Sequence, residues 1–408
     1  MQTNLVDFFK NTKKGKEADS ILRSCVHCGF CNATCPTYQI LGNELDGPRG
    51  RIYLIKQILE GKSATASTQK HLDSCLTCRN CETTCPSGVN YGRLVDIGRE
   101  VVETQVKRNQ ISSFIRWTLK LVLTNKILFK FLYKIGLFFR PFLPNIIKNK
   151  IIIPQNSGKV FRNNHKRKML LLEGCVQPAI SPNINASAKR ILDYLGVELI
   201  EISNSGCCGA IRHHLNDHSG ALKDMKKNID AWWPYIDKVE AVISTASGCG
   251  ITLKEYGNYF EHDSSYAKKA KIISSVTKDL CEIFPEFQSS LRKKINISKK
   301  VVFHPPCTLQ HGQKINGKVE SLLQDLGVDV RLCKDSHLCC GSAGTYSILQ
   351  PKIANNLRNQ KIKNLEETQS DVILSSNIGC LSHLQPGTST PVIHWIEFLD
   401  SELKNKIH

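Results

Sequence analysis

Two runs, CVHCGFCNATCP at residues 25–36 and CLTCRNCETTCP at 75–86, constrain this 408-residue chain more than any other feature. Each reads C-x2-C-x2-C-x3-C-P. A tight loop with this spacing can aim three thiolates at three irons of a 4Fe-4S cube. The fourth cysteine of the same loop cannot close the far corner, so it reaches across to a second cube. On this geometry Cys25, Cys28, Cys31 and Cys85 are assigned to one 4Fe-4S cluster, and Cys75, Cys78, Cys81 and Cys35 to another. A pair of zinc sites would use two C-x2-C pairs and would leave the third cysteine and the proline of each run without a purpose.

Between the runs, GPRGRIYLIKQILEGK has a proline to open a helix at Pro48, apolar residues at helical spacing, and Gly61 to end it. Residues 1–105 are therefore expected to form a mostly helical, two-cluster ferredoxin-type domain. The chain has 18 cysteines. Its first twenty residues show no apolar core followed by small residues, so a signal peptide is not expected. In a reducing cytoplasm so many thiols point to metal or redox chemistry rather than to disulfides.

The formal charge is +19, and much of the excess lies in one place: from Thr104 to Leu172 there are fifteen Lys and Arg and no Asp or Glu. Basic residues recur there among Leu, Ile, Phe and Trp, with no uncharged apolar stretch long enough to span a bilayer. Residues 106–165 read as a basic amphipathic linker suited to an anionic membrane surface. A helix packed on the protein's own domains or on a partner is the plainer alternative. Nucleic acid is not expected as a partner, because the aromatics form an apolar face rather than a stacking platform.

The remainder reads as an internal duplication, residues 166–298 and 299–408. Cys175 is followed after 31 residues by Cys207-Cys208 and after another 40 by Cys249. Cys307 is followed after 31 by Cys339-Cys340 and after another 39 by Cys380. KMLLLEGC and KKVVFHPPC are apolar runs that end at the first cysteine of each copy, as buried parallel strands would. Helical segments INASAKRILDYLG and GKVESLLQDLG lead to strands VELIEI and VDVRLC, and a third strand precedes Cys249 or Cys380. Every one of these cysteines thus lies beyond the carboxyl end of a strand, where open α/β sheets gather ligands. The fold class expected is multidomain α+β: a helical ferredoxin module followed by a duplicated α/β cysteine-rich domain. Two readings of the eight cysteines stay open, adjacent ligands of a metal site or small core hydrophobes. Cys281 and Cys333 have no counterpart in the other copy and read as packing residues.

With both cysteine patterns and the strings LGNELDGPRGRIYLIKQ, GCVQ, SGCCGA, ASGCG, HPPCTLQHGQ, CCGSAGTYS and NIGCLSHLQ, nearly the whole chain resembles the iron-sulfur subunits of bacterial glycolate oxidase. That family joins a two-cluster ferredoxin module to two cysteine-rich CCG domains. The resemblance implies an electron-transfer role in a 2-hydroxy acid dehydrogenase, with FAD-binding glycolate oxidase subunits converting glycolate to glyoxylate and a membrane quinone as acceptor. It also implies a cytoplasmic location at the inner face of the cytoplasmic membrane. Equivalent subunits acting on lactate or glycerol 3-phosphate, and a zinc-binding scaffold or redox sensor, are the alternatives. No G-x-G-x-x-G follows a strand, so flavin and substrate are expected on the partners. The fullest CCG pattern ends in C-x-x-C, whereas here the stretches are CGIT at 249–252 and CLSH at 380–383. Four cysteines per copy (Cys175, Cys207, Cys208, Cys249; Cys307, Cys339, Cys340, Cys380) suit a further iron-sulfur cluster or zinc. His383 stands where a family cysteine can stand, and His213, His214, His304 and His311 read as partly exposed loop residues.

Overall fold

The computed structural model describes residues 1–144, 148, 151–160, 163–292 and 299–407. The expected end of the first copy at residue 298 lies outside the described residues, as does part of the basic segment after residue 144. Helices surround the two cysteine runs. Helix Pro48–Leu59 opens on its proline and is followed by Gly61 in the left-handed region at φ 97°. Its Ile52, Ile55, Ile58 and Leu59 pack with Leu22, Leu72, Leu94, Val95 and Val102 from helices Lys13–Ser24, Ala66–Asp73 and Tyr91–Gln105. The approach is close: a Cβ on Gly98 would stand 2.6 Å from Ile55 Cγ1, so only glycine fits there.

The basic segment folds as two helices, Gln110–Thr124 and Lys126–Phe139, rather than one. Asn125 makes the break, because its side-chain oxygen accepts from the backbone N–H groups of Ile127 and Leu128 and starts a new helix. Neither helix buries a residue, and Ile111, Phe114, Trp117, Ile127, Phe131 and Phe138 are exposed. Arg108 and Arg116 pair with Asp73, and Lys126 pairs with Glu173 at 2.7 Å. Among the described residues no helix is long and apolar enough to cross a membrane.

The rest forms two α/β units, each on a four-stranded parallel sheet. Strands β1 (Arg167–Leu171), β2 (Val197–Glu201), β3 (Val242–Ser244) and β4 (Thr277–Asp279) take the order β2-β1-β3-β4. Strands β5 (Lys300–Phe303), β6 (Asp329–Arg331), β7 (Val372–Ser375) and β8 (Val392–His394) repeat it as β6-β5-β7-β8. Three strands per unit are expected from the sequence; the structure adds a fourth at the edge of each sheet, three residues long. One hydrophobic core runs through both units, from Met169 and Ile243 to Val301 and Trp395. Phe284 and Trp395 meet edge to face at 5.0 Å, and a buried Arg190–Asp400 pair at 2.6 Å ties the units together. Fusing the cores fixes one sheet against the other, and with them the two sets of cysteine loops.

Candidate metal centres

Both ferredoxin-type loops need backbone that L-residues rarely adopt. His27 and Gly29 in the first, and Thr77 and Arg79 in the second, lie at φ 58°, 86°, 53° and 61°. These turns curl the loops so that the thiols face inward. Burial pushes the Cys31 thiol up to about 11, and Cys25, Cys85 and Cys28 add to the shift as negative neighbours. Those four are the set expected for one cluster. Cys81 is raised by burial and then by Cys78, Cys75 and Cys35, the other expected set. Thiolates so crowded repel one another unless a cation sits among them, so the donors fit iron-sulfur clusters.

The two groups differ in surroundings. Cys28 is exposed, beside Val26 and Phe30 at 67 % and 61 % exposure. The Cys75 group is enclosed by two buried guanidinium groups. Arg51, 1 % exposed, donates to His71 O at 2.8 Å and Thr37 Oγ1 at 3.1 Å and lies 3.6 Å from Asp46 Oδ1. Arg99 donates to Leu72 O, Cys75 O and Thr77 Oγ1. Burial pushes the Cys75 thiol up, but Arg51, Arg99, the Thr77 N–H at 3.3 Å and the Tyr91 hydroxyl together hold it below its ordinary value. Sequence reasoning missed both arginines. Arg51 had a legible signal, since with Ile55 and Ile58 it lies on the apolar stripe of its helix.

In the α/β units the cysteines stand beyond the carboxyl ends of the strands. Gly209 and Gly341, at φ 95° and 91°, donate their N–H groups to Cys207 and Cys339 Sγ at 3.4 Å each. A Cβ on Gly341 would stand 2.5 Å from Ala354 O, which explains why glycine follows the paired cysteines. In the first unit thiol contacts run Cys175–Cys207–Cys208–Cys249. In the second, Cys307 and Cys339 Sγ are 3.8 Å apart and the contacts continue through Cys340 to Cys380. Cys281 is buried in the shared core and Cys333 packs at its edge.

Three of the four histidines expected in part-exposed loops are buried. His213 lies against Asp96 at 4.0 Å, and His311 lies between Thr83 Oγ1 and His337 O. His304 is 1 % exposed, because its N–H bonds Leu374 O at 2.7 Å and so carries the register of β5 inward. His214 is exposed. His383 Nε2 lies 3.1 Å from Ala354 O.

The helical module meets the two units differently. Towards the second, Leu76 and Cys78 share an apolar cluster with Cys307, Cys339 and Tyr346. Burial raises the Cys78 thiol, and Cys307 raises it further; Cys78 in turn helps raise Cys339. The Tyr346 hydroxyl donates to Ser74 O at 2.9 Å. Towards the first, the contacts are polar: Arg79 makes a two-pronged pair with Glu255, and His213 faces Asp96.

Known proteins share this organisation. The 4Fe-4S dicluster domain family matches residues 21–89, and the cysteine-rich CCG domain family matches residues 169–254 and 301–385. The chain is 50 % identical to the glycolate oxidase iron-sulfur subunit of Escherichia coli (strain K12), over the whole of both chains. It is 25 % identical to the probable glycolate oxidase iron-sulfur subunit of Bacillus subtilis (strain 168), over 93 % of this chain and 91 % of that one. Lactate utilization protein A of Bacillus licheniformis is 25 % identical over 57 % of this chain and 99 % of its own length. Full-length likeness, the dicluster module and the two cysteine-rich domains together place the chain in the glycolate oxidase iron-sulfur subunit family.

Proposed function

We propose that the chain is the electron-carrying subunit of an assembly that oxidises glycolate to glyoxylate on FAD-binding partner subunits and delivers the electrons to a membrane quinone. The observation that carries the reading is a line of cysteine groups from exposed Cys28 to the sulfur-lined contact of Cys78 with Cys307 and Cys339. Cys25, Cys28, Cys31 and Cys85 would hold one 4Fe-4S cluster and Cys75, Cys78, Cys81 and Cys35 the other. Such clusters supply one-electron carriage. The protein's own residues do the rest. Arg51 and Arg99 place positive charge on the Cys75 side, and Tyr346, Leu76 and their neighbours exclude water from the contact with the second unit. The cysteines of the two α/β units are read as holders of further metal. Val26 and Phe30, beside Cys28, offer an apolar face to a partner.

Helices Gln110–Thr124 and Lys126–Phe139 are read as a membrane-surface anchor, since exposed aromatics and basic residues on one pair of helices suit an anionic lipid face. The purified assembly should bind anionic vesicles and detach at high salt. A Phe114→Glu/Phe131→Glu variant that binds them as well as the wild type would refute the anchor.

The likeness to lactate utilization protein A supports a second reading, lactate as substrate. One experiment separates the two: the anaerobic assembly is mixed with glycolate or with lactate, and bleaching of the iron-sulfur absorbance is followed. Bleaching by glycolate supports the proposal. Bleaching by lactate alone favours the second reading, and neither acid reducing the clusters sinks both.

A further inference from the structure

The second α/β unit contains a buried histidine whose ring has no hydrogen-bond partner. Neither Nδ1 nor Nε2 of His304 is bonded among the described residues, although the side chain is 1 % exposed. Two other buried histidines have partners on both ring nitrogens. His394 meets Thr245 O at 2.9 Å and the Ile396 N–H at 3.2 Å, and His311 meets Thr83 Oγ1 and His337 O. A buried polar group left unmade is costly, and an unrecorded partner is the ordinary explanation. The neighbours name that partner. Ligand atoms of His304, Cys340 and Cys380 all lie within 4.8 Å of one another, with all three residues buried. Cys339 adjoins Cys340, and Cys307 Sγ is 3.8 Å from Cys339 Sγ.

We infer that His304 is the nitrogen ligand of a thiolate-bound metal centre in the second unit, shared with Cys340 and Cys380. The inference rests on the reading of that unit as a metal holder and goes beyond it by adding a ligand and by separating the two units. Backbone hydrogen bonds on both sides of the residue hold it in place: the His304 N–H donates to Leu374 O, and Ser375 Oγ donates to His304 O at 2.9 Å. A nitrogen donor would also stand in for the cysteine that the CLSH stretch lacks, from a different loop. Among the described residues the first unit shows no such group. Three residues before its first cysteine is Leu172, buried in the apolar core of that unit. The ligand set of thiolates and one imidazole suits iron of a cluster or zinc, and metal analysis distinguishes them.

The full-length chain is prepared anaerobically, and iron, acid-labile sulfide and zinc are measured per chain. Wild type is expected to carry metal beyond the roughly eight irons of two 4Fe-4S clusters. If the extra metal is zinc, its K-edge absorption should contain a nitrogen scatterer. If it is iron, pulsed electron paramagnetic resonance should show a nitrogen coupling that changes when the protein is grown with 15N-histidine. His304→Ala should lose that nitrogen and the second unit's share of the extra metal while both ferredoxin-type signals persist. His304→Cys should recover metal with an all-sulfur shell. A wild-type chain with no extra metal overturns both the inference and the reading beneath it. Extra metal without a nitrogen ligand, or with the same nitrogen signal in His304→Ala, overturns the inference alone. The wild-type spectra decide the matter even if the alanine variant fails to fold.

Discussion

The two α/β units share a strand order and a cysteine skeleton, yet they meet the helical module differently, the second through sulfur, apolar side chains and uncharged bonds, the first through ion pairs. The second presents sulfur and Tyr346 to Leu76 and Cys78 of the helical module, with uncharged bonds beside them from Asn80 to His337 O and between Thr83 and His311. The first presents charge, Glu255 to Arg79 and Glu173 to Lys126 of the amphipathic helices, with the neutral His213 ring facing Asp96. Helix Lys126–Phe139 packs on the Gln177–Ile180 helix, and Gln110–Thr124 packs on the Ala210–His214 helix, so the first unit also supports the exposed apolar segment. A repeated cysteine pattern therefore does not assign a repeated role. Surroundings do: the second unit packs its sulfurs against the Cys75 side of the module, whereas the first pairs charges with the module and carries the two amphipathic helices.

This contrast between the units is open to challenge at four residues, taken from the largest expected effect downward. Arg51→Met removes the guanidinium beside the Cys75 group and strands Asp46, which keeps only His71 at 3.0 Å. Removing one partner of a buried pair costs about 3–5 kcal/mol, to be read as a lower denaturation midpoint. The cluster on that side should also titrate at a more negative potential, while the one on the Cys28 side stays put. An unchanged potential would show that the arginine does not tune it.

Acid should loosen the first contact through His213. Burial, with the positive neighbours His218, Arg93, Arg99 and Arg79, lowers His213 to about 3. The folded state thus holds its proton more weakly than the unfolded state. Stability is then complete above the ordinary histidine value and falls as the pH drops from about 6.5 towards 3. At pH 5 the loss is about 2 kcal/mol, and His213→Phe should remove that part of the pH dependence. Hydrogen exchange at the Ala210–His214 helix, compared with the Tyr346 region, locates the effect.

Glu255→Gln keeps the shape of the Arg79 contact and removes its charge, at a cost of about 1–3 kcal/mol in stability, with the salt dependence reduced. Tyr346→Phe deletes the bond to Ser74 O on the other side and should cost about 0.5–1.5 kcal/mol with little salt dependence. Equal salt dependence at the two sites would erase the contrast.

How much of this was legible in the sequence follows from how local each feature is. Which thiols can gather within the ferredoxin-type loops is set by a few residues of spacing, and the strand-then-cysteine pattern is set by short apolar runs. Both were readable. The break at Asn125 depends on one side chain choosing a cap over a continued helix, and β4 and β8 are edge strands outside the duplicated strand-then-cysteine pattern. His304 looked like a loop residue because burial comes from β7 packing over it, 70 residues later in the chain. The Ser74–Tyr346 and Arg79–Glu255 contacts span 272 and 176 residues, and no local pattern encodes such partners.

The most direct test of the division of labour compares Cys307→Ser with Cys175→Ser in the assembled complex. Glycolate-driven quinone reduction is measured while electron paramagnetic resonance checks that both ferredoxin-type clusters remain. Turnover should collapse in Cys307→Ser and survive in Cys175→Ser. Wild-type turnover in Cys307→Ser, with its clusters intact, would contradict the division.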